Sequence, residues 1–192
     1  MTKKLSDYLT RYIDVGEDVD SDRYEKLNSV RYKSTIEKVY HYGGIIYPAL
    51  DCGPPNVLAR KLGIKQNTDW DLNWTWPEMI PNYRTITAFE VIEHLQNPLL
   101  FVHEVYDHLD AGGTFYLTTP VRWWMGKGKH HFAEYDEDDL IFLLLDAGFQ
   151  KIEIERIRVY QLNKEHIGIR PIIRFIRDRL KGQCWFICAQ KI

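Results

Sequence analysis

The run Ile45-Ile46-Tyr47-Pro48-Ala49-Leu50-Asp51 constrains this chain more than any other. It is a short apolar segment ending on an acid, followed at once by the turn Cys52-Gly53-Pro54-Pro55-Asn56 and a helix-forming stretch from Val57 to Leu62. Short apolar runs bounded by Gly and Pro read as buried strands, and a strand that feeds straight into a helix belongs to a sheet covered on both faces. The same step recurs downstream. Arg84 to Phe89 reads as a strand, Asn97-Pro98 opens a helix as N-cap and first-turn proline, Gly112-Gly113 closes it, and Thr114 to Thr119 is the next strand. A further helix starts at Asp136 with acids through its first turn, where the helix dipole favours negative charge, and stops at Gly148. Lys151 to Tyr160 alternates apolar and polar residues, and Trp185 to Ala189 is an apolar strand.

This alternation predicts an α/β fold with a doubly wound, mostly parallel, seven-stranded sheet. Between the second strand, Lys65 to Asp69, and the third, a stretch rich in Trp and Pro (Trp70, Trp74, Trp76, Pro77, Pro81) leaves no room for a full helix and strand, so the middle of the sheet is expected to be shortened. Upstream, Tyr24 to Tyr42 carries Leu27, Val30, Ile36 and Val39 at helical spacing, and Met1 to Asp22 reads as a loose arm with at most a short helix. The expected division is a helical N-terminal arm over residues 1–42 and one domain over residues 43–192.

A chain of 192 residues that is 45% hydrophobic has material for a single core, and so for a single active site. Its longest apolar run, Leu140 to Leu145, is far below the roughly 20 residues of a membrane span. Lys3 and Lys4 have no apolar stretch behind them, and Cys52, Cys184 and Cys188 form no CxxC pair or disulfide framework. These features predict a cytoplasmic protein without a membrane span. The net charge of −2 hides an asymmetry: between Arg156 and Lys181 eight Lys and Arg stand against two acids. Such a basic segment is more often a solvated helix face than a nucleic-acid surface, so nucleic acid is not the favoured partner.

In open α/β sheets ligands lie beyond the carboxyl ends of the strands, where the first strand-to-helix turn offers backbone amides and an acid about 20 residues further on accepts from ribose hydroxyls. Asp69 lies 18 residues after Asp51, a spacing compatible with a nucleoside-containing cofactor.

Several ordered segments then carry a specific resemblance. Ala49-Leu50-Asp51-Cys52-Gly53 resembles the first motif of class I S-adenosylmethionine-dependent methyltransferases, and Thr87-Ala88-Phe89-Glu90-Val91-Ile92-Glu93-His94-Leu95 their fourth-strand motif. Leu109 to Pro120 is similar to their Gly-Gly helix exit and fifth strand, and His131 to Tyr135 with Asp146 to Phe149 resembles the region before their sixth. The resemblance implies a Rossmann-like methyltransferase fold that binds S-adenosylmethionine and releases S-adenosylhomocysteine. It implies that Asp51 and Gly53 line the methionine and ribose end, that Asp69 accepts from the ribose, that Asp71 and Leu72 sit near adenine, and that Glu90 faces the cofactor. The first motif departs from the family where Pro55 and Val57 replace its later glycines, and Asn56 is expected to stand in for one of them by its tolerance of left-handed geometry.

Methyl transfer from a sulfonium needs alignment above all. A hydroxyl acceptor also needs its proton removed, for which His94 or His131 is the expected general base. The favoured reaction is O-methylation of a small metabolite or glycan precursor. Trp123, Trp124, Tyr135, Tyr24 and Tyr32 are candidates to wall its pocket. Glu90, Glu93 and His94 stand at i, i+3 and i+4, so one helical turn would align them, with His130 or His131 as a fourth ligand for a divalent cation. That pattern is similar to the metal site of small-RNA 2'-O-methyltransferases, and metal-assisted RNA methylation is the second reading. Histidine capping or packing is the commoner explanation, so the expectation is no metal. A non-catalytic binding protein of this fold is the third reading. Oligomeric state leaves no mark in the sequence.

Overall fold

The computed structural model describes residues 22–192, except 69, 78–80, 123–129, 160–171, 174–175 and 177–182. The expectation for Met1 to Asp22 lies almost wholly outside the described residues, as does most of the basic segment after Tyr160.

The elements follow the order α1 (Asp22–His41), β1 (Ala49–Asp51), α2 (Val57–Lys61), β2 (Gln66–Asn67), β3 (Tyr83–Phe89), a 3₁₀ turn (Ile92–His94), α3 (Pro98–Asp107), β4 (Leu109–Pro120), α4 (Glu137–Asp146), β5 (Lys151–Ile157) and β6 (Cys184–Gln190). The strands form one sheet in the order β2-β1-β3-β4-β6-β5, with β1 to β4 parallel and β6 antiparallel to both β4 and β5. Six strands are present among the described residues. Among these residues the Trp/Pro stretch between β2 and β3 holds no further helix or strand, the shortening expected there.

Local chemistry sets most boundaries. Asn97 caps α3 by accepting from the Leu100 amide, and Asp136 and Asp139 close a reciprocal capping box on α4. Gly148 follows α4 at φ +106, a conformation a side chain would strain, and a Cβ there would meet the Tyr106 ring at 3.0 Å.

The central strands divide two cores by their two-residue period. Phe115 and Leu117 of β4 and Trp185, Ile187 and Ala189 of β6 face α3 and α4, against Phe101, Val102, Val105, Leu140 and Leu144. Tyr116, Cys184, Phe186 and Cys188 face the other way, against Tyr32 and Val39 of α1 and Val57 and Leu58 of α2. Helix α1 is therefore part of the core on that face. Its end is tied down where Tyr42 donates to Glu155 at 2.7 Å and Lys38 pairs with the same carboxylate, while Lys61 of α2 bonds Glu25 at 2.7 Å. Trp70, expected in a loop, packs edge-on against Trp76, which lies over Phe101 and His108. The loop thus contributes Trp76 to the main core, with Trp70 packed against it.

Candidate active site

Because β1 to β4 run parallel, their carboxyl ends share one edge, and the chain leaves β1 toward β2 on one side and reaches β3 on the other. That reversal is the topological switch where open α/β sheets bind ligands.

The turn after β1 is built around Asp51. Its side chain is fully buried and accepts from the Thr87 hydroxyl at 2.5 Å, from Asn56 Nδ2 at 2.6 Å and from Asn67 Nδ2 at 3.2 Å. Burial pushes this acid up to about 7, opposed by the hydrogen bonds from Thr87 and Asn56. Asp51 thus ties the ends of β1, β2 and β3 together, and its carboxylate points into the turn. Asn56 corrects one expectation. Its φ of −139° is extended, so it replaces no glycine; its side chain caps α2 by accepting from the Ala59 amide while donating to Asp51. The reason is local: a two-sided amide at a helix start satisfies a helix donor and a buried acceptor at once.

Gly53 has φ +109, and a Cβ on it would meet Val91 Cγ2 at 3.4 Å, so the turns after β1 and β3 touch here. Its amide donates to the Thr68 hydroxyl at 2.8 Å. Pro54 and Pro55 are exposed and leave this contact open. Asp69 lies outside the described residues. Asp71 accepts from the backbone and side chain of Asn73, both at 2.9 Å, and Leu72 is buried in the main core. The indole N–H groups of Trp70 and Trp76 are buried without a partner among the described residues. A buried donor left unsatisfied is costly, and a polar ligand that accepted from it would recover that cost. A glycine-only turn at the switch and an unsatisfied donor just beyond β2 fit a nucleoside-bearing cofactor.

At the end of β3, Glu90 takes the left-handed φ of 60°, rare for a side chain and costly enough to mark functional loops. The 3₁₀ turn begins only at Ile92, so Glu90 is not aligned with Glu93 and His94 by one helical turn. Its carboxylate instead accepts from Arg31 of α1 at 2.5 Å and from the Cys184 thiol at 3.2 Å.

Glu93, 1% exposed, accepts from the Thr119 hydroxyl at 3.0 Å, and its backbone carbonyl accepts from the Phe132 amide at 2.7 Å. Burial, and then the charge of Glu90, hold its carboxyl well above the usual carboxylate range. His94 Nε2 lies 3.9 Å from Glu93 Oε1, while His94 Nδ1 contacts the His130 carbonyl at 3.2 Å. Burial lowers the His94 imidazole below its ordinary value, so the ring is neutral at pH 7. The His131 ring stands 5.0 Å from the His94 ring, edge to face, with Nδ1 bonded to Glu134 at 2.9 Å. The two expected base candidates are thereby brought together from opposite sides of β4.

Of the expected pocket aromatics, Tyr135 is buried with its hydroxyl on the Ile92 carbonyl at 3.3 Å, and Tyr32 lies in the core beneath α1. Trp123, Trp124 and the Tyr24 side chain are outside the described residues. Sequence reasoning missed Arg31, Thr119 and Glu134. Only the position of Thr119 at a strand's carboxyl end offered a signal for any of them.

A family model for a methyltransferase domain matches residues 14–154. The chain belongs to this family of S-adenosylmethionine-dependent, Rossmann-like methyltransferases. Solved structures share the fold at low identity. A S-adenosylmethionine-dependent methyltransferase from Thermotoga maritima is 14% identical with a TM-score of 0.62, covering 95% of this chain and 97% of that one. A chain of the complex between the Haloferax volcanii Trm112 methyltransferase activator and a methyltransferase is 12% identical with a TM-score of 0.65, covering 89% and 95%. The N-methyltransferase NodS from Bradyrhizobium japonicum, solved with S-adenosylhomocysteine, is 10% identical with a TM-score of 0.60, covering 94% and 97%. No curated protein matches the chain significantly. Among the described residues no helix is long and apolar enough to cross a membrane.

Proposed function

We propose that this enzyme methylates an oxygen, in preference to a nitrogen, of a small metabolite or glycan precursor. The observation that carries this reading is the pairing of His94 and His131, two imidazoles 5.0 Å apart beside the carboxyl end of β3. When bound, S-adenosylmethionine supplies an activated methyl group on a sulfonium.

The chain's own residues do the rest. Gly53 keeps the turn after β1 open to close approach, and Asp51 holds that turn's shape through Thr87, Asn56 and Asn67. Asp69 would accept from the ribose hydroxyls, Asp71 and Leu72 would flank the adenine, and Glu90 would face the sulfonium side, its charge fixed by Arg31. Neutral His94 can take a proton from the acceptor hydroxyl, because the contact of Nδ1 with the His130 carbonyl puts the N–H there and the lone pair on Nε2. His131, oriented by Glu134, is placed to do the same. The methyltransferase domain is taken as residues 43–192, with helix α1 of the preceding segment packed into its core. Free, buried Cys52, Cys184 and Cys188 suit a reducing cytoplasm.

Calorimetric and thermal titration with S-adenosylhomocysteine tests the cofactor half. A ligand that binds only the native state at a hundredfold excess over Kd adds about 2.7 kcal/mol of stability. A flat titration at millimolar ligand would favour a non-catalytic binding protein. Labelled methyl transfer to hydroxylated and aminated metabolites tests the acceptor half, and transfer only to amines would overturn the oxygen preference.

A further inference from the structure

We infer that the basic, isoleucine-bearing segment between β5 and β6 docks the protein onto an anionic lipid surface. Ile172, Ile173 and Ile176 are helical and stand 46%, 55% and 50% exposed. Single exposed aliphatic residues are ordinary, but three within five residues form a contiguous apolar patch, and such a patch marks contact with something outside the chain.

The sequence around them says what that contact is. At about 100° per residue, positions 172, 173, 175, 176 and 180, all Ile, Phe or Leu, fall within an arc of roughly 160°, and Arg170, Arg174, Arg177 and Lys181 fall within roughly 60° of the remaining side. An apolar arc faced by Lys and Arg is the pattern of helices that lie in the plane of a membrane interface, with the apolar side among the acyl chains and the cations against lipid phosphates. Arg179 falls inside the apolar arc, where a long stem can be buried while its guanidinium reaches the headgroups. From Arg170 to Lys181 five basic residues stand against Asp178 alone, which draws the segment to anionic lipid.

RNA shares the charge preference but not the isoleucines. Single strands stack on aromatic rings and duplexes are read through sugar and phosphate contacts, so neither covers a row of aliphatic side chains. The outer side of α4 makes a contrast: exposed Phe142 shares its groove with Asp138 and Asp139, whose charge repels an anionic surface.

The roots of the segment fix where it acts. Ile157, the last residue of β5, pairs with Cys184 at the start of β6, and Cys184 pairs with Pro120 at the carboxyl end of β4. The Gln183 amide donates to the Ile157 carbonyl and the Val121 amide to the Gln183 carbonyl, both at 3.1 Å, while the Cys184 thiol donates to Glu90 at 3.2 Å. The chain therefore leaves and re-enters the sheet at the carboxyl edge, beside Glu90. Arg158, the first residue beyond β5, is exposed there and extends the basic surface. Docking through this segment brings the carboxyl edge of the parallel strands to the bilayer. The lipid contact stands without the functional reading above; its consequence, an amphiphilic acceptor whose hydroxyl lies at the headgroup level, rests on that reading.

The test mixes the full chain, without cofactor, with sucrose-loaded vesicles of phosphatidylcholine alone or with one-third phosphatidylglycerol, and measures the bound fraction by sedimentation. Binding is expected to be at least tenfold tighter on the anionic vesicles and to weaken as salt rises. Ile172→Ser with Ile176→Ser, which keeps the charge, should lower affinity at least tenfold, and Arg174→Gln with Arg177→Gln by a similar factor. Leu145→Ser, at an exposed position on α4, should leave it unchanged. Circular dichroism confirms that each variant is folded, and the lipid and salt dependence of the wild type needs no variant. Absence of binding, equal binding to both vesicles, or binding undiminished in the folded isoleucine variant would overturn the proposal. Tighter binding to a single-stranded RNA oligonucleotide than to anionic vesicles would overturn it in favour of nucleic acid, and self-association abolished by the isoleucine substitutions, with no vesicle binding, in favour of a second copy. Labelled methyl transfer to soluble and vesicle-borne hydroxylated acceptors reads the consequence separately: preference for soluble acceptors with vesicle binding intact would overturn the amphiphilic acceptor alone.

Discussion

Arg31 of α1 and Glu90 at the end of β3 form an ion pair at 2.5 Å across 59 residues of sequence, joining the N-terminal helix to the carboxyl edge of the parallel strands. Both side chains are largely withdrawn from water, at 13% and 21% exposure. Removing one partner therefore strands a poorly solvated charge. Arg31→Ala should destabilise the protein by about 1–3 kcal/mol in urea denaturation, and Glu90→Gln by a similar amount. The double variant should lose clearly less than the two losses combined, because the residues act as a unit. Additive losses would mean that the pair carries no coupling.

The contact between the turns after β1 and β3 predicts the behaviour of Gly53. Gly53→Ala places a side chain at φ +109 and a methyl 3.4 Å from Val91 Cγ2. The backbone strain alone costs on the order of 1–3 kcal/mol. We expect a lower Tm and at least tenfold weaker S-adenosylhomocysteine binding by calorimetry. Pro54→Ala, at an exposed position beside it, should change affinity less than threefold.

Asp51 predicts a pH signature. Its folded-state pKa of about 7 lies above its ordinary value of 3.8, so between these values the native state binds more protons than the unfolded one. Stability must then fall as pH rises across that window and level off above it. In Asp51→Asn, which cannot titrate, the fall between pH 4 and 7 should be shallower than in the wild type. Chemical denaturation at unit pH steps measures this, and parallel profiles would show that Asp51 stays ionised throughout.

The histidine pair predicts the kinetics. His94→Ala and His131→Ala should each lower turnover by about 10²–10⁴-fold, the usual contribution of a positioned base. S-adenosylhomocysteine affinity should stay within threefold of wild type, since neither ring is assigned to the cofactor. Equal losses in turnover and cofactor affinity would place these residues in cofactor binding instead.

Much of the fold was legible because its signals are local. The Asn97 and Asp136 caps, the glycine exits and the apolar strands ending on Asp51 and Phe89 depend on propensities and hydrogen bonds spanning only a few residues. The shortened middle was readable as a matter of length. The reversed direction of β6 was not, because strand direction depends on the path of the chain and leaves no trace in the strand's own pattern.

The site divides in the same way. The sequence by itself determined the alternating α/β order, the residues at the strand ends and the glycine at the first turn, since backbone geometry and two-residue periodicity enforce them wherever the chain goes. Only the tertiary structure decided where the charged groups point: Asp51 turns inward onto Thr87, Glu90 goes to Arg31, and His131 arrives beside Glu93 and His94. The physical reason is that these contacts join distant segments. A buried charge settles on whichever partner the packed core brings within reach, and no local pattern encodes that choice.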